Sequence, residues 1–351
     1  MKAIGVYKYG PPSNLTIDDI PEPGEPGDRD LLVEVKAMSV NPIDCKVRAG
    51  TYDDAHDFYG HVPKPFHVIG PDGAGVVLSV GPGVKYYKPG DKIFYECFPI
   101  RQGAATERHI VDERLAGHLP SGWDLLMAAC LPITAGTAYE ALYERLEIKQ
   151  DEQAALLIIN GAGGVGSMAS QIARNALRLP VVITTAGRLE TQEWTKKMGA
   201  THVLNHHKDL QPQLEALNLT VPVKYIFIIH NTAKYLKVVA ELAAPMGKVC
   251  SIVQAKGLDF YDTQSLSKSL TFSWCWLGSK QYHQADVESQ HFMMKTISEW
   301  ASSGTIKSHL KQRLKLTKEG LVRGHEMIES GKTVGKIGLG VEEEGQGQPF
   351  E

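Results

Sequence analysis

The chain lacks most of what would mark an unusual setting. Five cysteines are spread over 351 residues, at 45, 97, 130, 250 and 275, and no two lie within 20 residues of each other. An odd, scattered set excludes a disulfide frame and a paired zinc knuckle, and it indicates free thiols in a reducing compartment. No apolar run approaches the ~18 residues of a membrane span. Neither sign of charge dominates: 37 Lys and Arg face 40 Asp and Glu, with a net charge of −3 and a pI near 6.5. A polyanion would find no basic footprint, so a nucleic-acid partner is not expected. Repeats and low-complexity tracts are absent. Met1 to Tyr7 reads as a strand and not as a secretory leader. A cytoplasmic protein without a membrane or nucleic-acid partner is the expectation. At 43% hydrophobic and 22% charged residues, the chain can bury a substantial core in two domains.

The stretch Leu156-Leu157-Ile158-Ile159-Asn160-Gly161-Ala162-Gly163-Gly164-Val165-Gly166 organises the rest. A strand-length apolar run stops at a glycine cluster, and a helical pattern follows. Val165, Ala169, Ile172, Ala173 and Ala176 fall on one face at i, i+3/i+4 spacing. Gly161, Gly163 and Gly166 fit G-x-G-x-x-G, a turn in which the backbone can approach a pyrophosphate at a helix N-terminus. That spacing alone also suits a tight strand–helix turn with no ligand. The flanking strand and helix favour the dinucleotide reading.

Residues 1 to about 125 carry short strand patterns: Lys2–Tyr7, Leu31–Ala37, Ala74–Val80, Lys92–Tyr95 and Glu107–Val111. Proline- and glycine-rich turns separate them. A helical segment from about Asp124 to Leu146 leads out, with Pro132 near its middle. Strands and helices then alternate, with strands expected at Ala155–Asn160, Val181–Thr185, His202–Asn205, Tyr225–His230, Lys248–Val253 and Leu270–Trp276. Six strands at this spacing predict an α/β fold with a doubly wound parallel sheet. The tail reads as helices at Asp286–Ser302 and Lys318–Ser330, then a strand at Lys336–Val341 that rejoins the first domain. Residues 342–351 read as a frayed end.

Motifs along nearly the whole chain resemble the medium-chain dehydrogenase/reductase superfamily. They are Val40-Asn41-Pro42-Ile43-Asp44, Arg48-Ala49-Gly50-Thr51-Tyr52, Gly70-Pro71-Asp72-Gly73-Ala74-Gly75, Gly81-Pro82-Gly83-Val84 and Lys88-Pro89-Gly90-Asp91. Leu131-Pro132, the glycine turn and Gly335-Lys336-Ile337 complete the set. The chain is most similar to the zinc-free quinone oxidoreductase branch, which includes proteins called zinc-type alcohol dehydrogenase-like. The resemblance implies a GroES-like β-rich catalytic domain over 1–126, a Rossmann NADPH-binding domain over 127–278, and a return to the catalytic domain over 279–351. It also implies a homodimer paired along the last sheet strand.

Zinc-dependent members carry metal ligands where this chain has Asn41 and Pro71, and a relay hydroxyl where it has Ile43. Proline cannot ligate, and an asparagine amide is a poor zinc ligand. Only Cys97 lies where the structural zinc lobe would be, so no metal residue is assigned. His206-His207 reads as solvated loop. A zinc alcohol dehydrogenase is therefore disfavoured.

An NAD site usually has an acid at the end of the second strand, to hold the ribose 2′-OH. Here Thr184-Thr185-Ala186-Gly187-Arg188 stands there. A guanidinium suits a 2′-phosphate, which favours NADPH. The other reading is that Arg188 is solvated and paired with Glu190. The expected cofactor residues are Gly161, Ala162, Gly163, Gly164, Val165, Gly166, Thr185, Gly187 and Arg188, and the resemblance adds Thr137, Asn231 and Lys336. For Thr137, a helix-packing hydroxyl is an equal alternative. Without a Lewis acid, hydride transfer to an already activated small molecule remains: a quinone, an enone or an enoyl compound. The resemblance places Asn41, Asp44 and Tyr52 at the substrate cleft, within reach of the 51–65 insertion. Tyr52 is the expected proton or hydrogen-bond donor, with Asn41, Tyr95 or water as competitors. Asp44 has a structural alternative, capping the turn that follows. A non-catalytic NADPH-binding protein is the other reading of the whole.

Overall fold

The computed structural model describes residues 1–51, 64–97, 101–261, 263–341 and 350. It divides into two compact units. One comprises Met1–Ile133, Gly278–Ser303 and Leu310–Glu351, and the other Thr134–Leu277 and Gly304–His309.

The first unit opens with β1 (Lys2–Val6), β2 (Thr16–Asp19), β3 (Asp30–Val40), α1 (Pro42–Ala49), β4 (His67–Val68), β5 (Asp72–Val80), β6 (Lys92–Glu96), β7 (Arg108–Asp112) and β8 (Ala116–His118). A small sheet runs β2-β1-β4. Strand β3 is central to the larger one. Along its first part buried Leu31, Val33 and Val35 alternate with half-buried residues, the period of a one-sided strand. From Ala37 to Val40 every residue is buried. This inward run carries a polar residue, Ser39, into the interior.

The expected helix over 124–146 is broken. Helix α2 (Leu125–Ala129) stops, α3 (Pro132–Tyr139) begins at the proline, and a π-helical turn covers Glu140–Arg145. Proline lacks the N–H that an interior helical position must donate, but it suits a first helical position.

The second unit carries β9 (Ala155–Ile159), α4 (Gly164–Gln171), β10 (Val181–Thr185), α5 (Leu189–Lys197), β11 (His202–Leu204), α6 (Leu210–Glu215), β12 (Val223–Ile228), α7 (Thr232–Leu242), β13 (Lys248–Ser251) and β14 (Thr271–Trp274). Its six strands are parallel, in the order β11-β10-β9-β12-β13-β14. This is the predicted doubly wound sheet. Every residue of β9 is buried, as a central strand covered on both faces requires. On α4 and the turn that follows it, Ala169, Ile172 and Ala173 are buried as their spacing predicted, while Val165 and Ala176 are half-buried.

The tail adds α8 (Ser279–Tyr282), α9 (Glu288–Ser302), β15 (Leu310–Lys315), α10 (Lys318–Glu329) and β16 (Lys336–Gly340). These complete the larger sheet of the first unit as β15-β16-β3-β5-β6-β8, with β7 also on β3. Strand β15 escaped the sequence reading, because its Leu-Lys-Gln-Arg-Leu-Lys pattern lies on an edge and is mostly exposed. Among the described residues, no helix is long and apolar enough to cross a membrane.

Close packing fixes the turn after β9. A Cβ on Gly166 would lie 2.6 Å from the Gly161 carbonyl oxygen, and one on Gly161 would lie 2.5 Å from Thr184 Cβ. A Cβ on Gly163 would meet nothing within 4 Å. Gly166→Ala should therefore destabilise the protein by about 1–3 kcal/mol through overpacking. Gly163→Ala should stay within about 0.5 kcal/mol of the parent. Urea unfolding of both variants tests this, and equal losses would show that the contact does not set the turn.

Candidate active site

Two groups of residues carry chemistry, one in each unit. In the second unit, Asn160 leaves β9 with a φ of 70°. Its N–H donates to Thr185 Oγ1 at 2.8 Å, and the Gly161 N–H donates to the Thr185 carbonyl at 3.2 Å. Thr185 thus pins the glycine turn to the end of β10. Gly163 is the N-cap of α4, and no side chain caps this helix. Its first N–H groups are left for an external acceptor, on the open side marked by Gly163. Gly161 and Ala162 are buried in the turn, while Gly164 and Val165 are half-buried at its rim.

The strand order reverses direction between β9 and β12, so the ligand crevice expected of such a sheet lies at their carboxyl ends. Gly161 follows β9 there. Asn231 follows β12, caps α7 by accepting the Lys234 N–H at 3.1 Å, and is exposed. Thr137 is a buried hydroxyl on α3.

At the end of β10, Arg188 is exposed and starts α5, with Thr191 Oγ1 accepting its N–H at 3.1 Å. Residues 184–188 contain no acid. The neighbours of Gly187 were missed from sequence. A Cβ there would collide with His207 Nε2 and lie 2.8 Å from His206 Nε2. The two imidazoles therefore face Gly187, the second residue after β10. Both lie in the turn after β11, as the loop reading expected: His207 is exposed, while His206 is half-buried.

The first unit holds a buried polar network. The Lys336 ammonium donates to Ser39 Oγ at 2.5 Å and to the Val40 carbonyl at 2.7 Å. Ser39 Oγ in turn donates to Asp72 Oδ1 at 2.6 Å, and the Ser39 N–H reaches the same oxygen at 3.2 Å. Asn41 Nδ2 donates to Asp72 Oδ2 at 3.2 Å and to Ser39 Oγ at 3.4 Å. Asp44 Oδ2 accepts the Asn41 N–H at 2.6 Å, while its Oδ1 has no hydrogen-bond partner. All five residues are nearly fully buried. Burial first, and the Asp72 charge second, push Asp44 up from 3.8 to about 8. Asp44 thus caps the start of its own helix, through the N–H of the preceding Asn41 and not through the turn that follows, and burial favours its protonated form. Tyr95 is buried with an unpartnered hydroxyl, and burial drives its phenol far above the usual range. Tyr52 lies outside the described residues, as does most of the 51–65 insertion. The network thus joins Asn41, Asp44 and Lys336, and adds Ser39 and Asp72, which the sequence reading had not made functional.

The Asp44 proton links stability to pH. The folded chain keeps a proton that the unfolded chain releases near pH 4, so this contribution is full below pH 4 and is lost as pH rises toward about 8. Asp44→Asn keeps an acceptor for the Asn41 N–H but cannot titrate. Between pH 5 and 8 the parent should lose stability relative to this variant. Each tenfold change in proton affinity is worth about 1.4 kcal/mol, and the two curves should separate by at least that amount. Parallel curves in urea unfolding across this range would show that Asp44 does not titrate there.

The alcohol dehydrogenase GroES-like domain family matches residues 27–138, and the zinc-binding dehydrogenase family matches residues 164–290. A zinc-type alcohol dehydrogenase-like protein of Staphylococcus aureus is 36% identical over 326 residues, covering 90% of this chain and 92% of the relative. A crystal structure from Rhizobium etli, provisionally described as a zinc-dependent alcohol dehydrogenase, is 37% identical with a TM-score of 0.89, covering 98% of this chain and 99% of that one. The Escherichia coli quinone oxidoreductase complexed with NADPH is 26% identical with a TM-score of 0.79, covering 97% of this chain and all of that one. The uncapped glycine turn, the strand order and these relatives agree: the chain belongs to the medium-chain dehydrogenase/reductase superfamily of oxidoreductases.

Proposed function

We propose that the protein is an NADPH-dependent, zinc-independent reductase that delivers hydride to a quinone or to the β-carbon of an α,β-unsaturated carbonyl. The acid-free end of β10, with Arg188 beside it, carries the cofactor reading. An acid there would repel a 2′-phosphate, whereas a guanidinium can pair with it. The NADPH complex of the E. coli quinone oxidoreductase supports the same reading. The glycine turn and the start of α4 would hold the pyrophosphate, and Thr137 and Asn231 are proposed to add contacts. The proposed cofactor role of Lys336 rests on the resemblance, since the contacts of its ammonium, to Ser39 and Val40, lie within the first unit.

The donor set does not fit zinc. Pro71 offers no ligand atom, the Asn41 amide nitrogen is turned to Asp72, and an ammonium sits in the same network. Among the described residues, no group of three or more His, Cys, Asp or Glu could hold a metal ion. NADPH, when bound, supplies the hydride. The chain must then hold the charge that develops on the substrate oxygen. The Asn41 amide hydrogens are committed, which makes Asn41 a positioning residue and leaves Tyr52 as the proposed donor. Asp44 is proposed to hold a proton near the cleft.

We also propose a homodimer in a reducing, cytoplasmic setting. Strand β14 is the sheet edge, with Trp274 exposed and Phe272 half-buried between Phe260 and Trp274. An apolar, unpaired edge of this kind invites pairing with a second copy.

Purified protein should oxidise NADPH with 9,10-phenanthrenequinone and with a simple enone, prefer NADPH to NADH at least about tenfold, and be unaffected by chelators. Binding without turnover would make it a non-catalytic NADPH-binding protein. Loss of activity on removal of one bound zinc would overturn the mechanism.

Tyr52→Phe should lower enone kcat by about 10²–10³, the usual cost of losing one such donor. Quinones, as better hydride acceptors, should lose less. Enone turnover within about threefold of the parent at unchanged NADPH affinity would remove Tyr52 from this role.

A further inference from the structure

We infer that Cys97 is a modification site: its thiol adds to small α,β-unsaturated carbonyl compounds, with His109 taking the thiol proton. The addition needs no cofactor, so it goes beyond the hydride-transfer reading and does not depend on it.

Of the five cysteines, all among the described residues, Cys97 alone is half-buried and the other four are buried. Its Sγ lies 3.7 Å from His109 Nδ1. The second ring nitrogen of His109, Nε2, lies 2.7 Å from the Gln102 carbonyl, which can only accept. Nε2 therefore carries the proton, and Nδ1 faces the thiol as a base. Nucleophile, base and orienting group stand in series. Both side chains line a cavity of about 100 Å³ in the first unit, together with Arg101, Gln281 and Gln284. Gln281 is 5% exposed and donates its Nε2 hydrogen to Glu96, while its Oε1 has no hydrogen-bond partner. The Tyr95 hydroxyl is buried and unpartnered as well, on a ring 5.5 Å from that of His109. Unpaired buried polar atoms beside a thiol mark room for a polar guest. Arg101 gives one N–H to Asp30 at 2.8 Å, and a guanidinium carries several, so donors remain for an oxygen that gains charge.

Burial first, and then the charges of Asp72, Glu96 and Asp44, hold the Cys97 thiol well above its ordinary range. Burial lowers His109 from 6.5 to about 4, against the Gln102 hydrogen bond and with help from the Arg101 charge. Asp112, which also lines the cavity, is paired with Arg114. At neutral pH the dyad is therefore a thiol and a neutral imidazole, and the proton must leave during the attack. The sulfur forms its bond to the β-carbon as the C=C π bond breaks toward the carbonyl. The thiol proton passes to His109 Nδ1 and from there to the α-carbon, which leaves a saturated thioether and needs no oxidant or reductant. A cavity of this size is well below the ~300 Å³ of sites for drug-sized ligands, so it suits electrophiles of a few atoms. The neutral dyad prevails from pH 6 to 8, and its rate should be nearly flat there. A thiol that reacts only as thiolate gains about tenfold per pH unit below its pKa.

The test is incubation of the intact protein with but-3-en-2-one in the absence of NADPH, with adducts located by peptide mass spectrometry. One adduct per chain should form, on Cys97, at a rate that changes less than about threefold between pH 6 and 8. Cys97→Ser should remove the adduct. His109→Gln should slow it by about 10²-fold or more, the usual loss for a positioned base. The pH profile is read on the parent chain and stands even if that variant folds poorly. In urea all five cysteines should react, which checks the reagent. Addition spread over several cysteines of the folded chain, or no adduct on Cys97, would overturn the inference. So would a rate that climbs about a hundredfold from pH 6 to 8, the mark of an unassisted thiolate. Failure of the same enone to turn over with NADPH would count against the reductase reading and leave this one standing.

Discussion

A buried chain of charge, Lys336 ammonium to Ser39 hydroxyl to Asp72 carboxylate, constrains the first unit more than any other contact. Each ion alone would cost several kcal/mol to strip of water, and removing one partner strands the other. The three residues come from β16, the end of β3 and the start of β5, so the network requires the chain's tail to return to its beginning. Register agrees, since Gly338 lies opposite Ser39 and Gly73 opposite Met38. The start of α1 is bound in as well, because Asn41 donates from its side chain to Asp72 and from its backbone to Asp44. Positioning of Asn41 and Asp44 is therefore coupled to satisfying one buried cation.

The second unit is built on the opposite principle. Its sheet interior is apolar, with Leu157, Ile159, Ile183, Ile226 and Ile228 in one core cluster. Much of its polar chemistry sits at the strands' carboxyl ends, where helices begin and backbone N–H groups lack partners. Precision there comes from close approach: Gly166 against Gly161, and Gly161 against Thr184. A site made of backbone groups tolerates wide variation in side chains, which leaves cofactor discrimination to the few residues after β10.

Local features were legible in the sequence and distant ones were not. The glycine turn and all six strands of the parallel sheet announce themselves through periodicity within a dozen residues. The polar network does not, since Ser39, Asp72 and Lys336 are adjacent only after folding. Pro132 was visible, but its role as a helix start was overridden by the apolar pattern running through it. The His206-His207 loop was not seen beside Gly187 for a topological reason. It lies about 20 residues beyond Gly187, yet β10 and β11 pair in parallel with Thr185 opposite Leu204. Parallel neighbours bring the residues that follow them side by side. Once those two strands are taken as adjacent, the imidazoles emerge beside Gly187, two residues past the end of β10. The signal was present, but it needed strand order and not motif spacing.

On the zinc-independent reading proposed above, charge balance in the first unit rests on the groups of the chain itself. Here two buried carboxylates, Asp44 and Asp72, face one ammonium. The Lys336 charge is delivered to Asp72 through Ser39, and its effect on Asp44, like that of the Asn41 hydrogen bond, is outweighed by burial and by the Asp72 charge. An uncompensated buried acid meets the deficit by keeping its proton. One lysine and one retained proton thus balance the two acids with no metal. The substitution has a chemical consequence, because a proton can be given up whereas a structural ion cannot. The same arrangement therefore favours an acidic hydrogen on Asp44, at the start of the helix that follows Asn41.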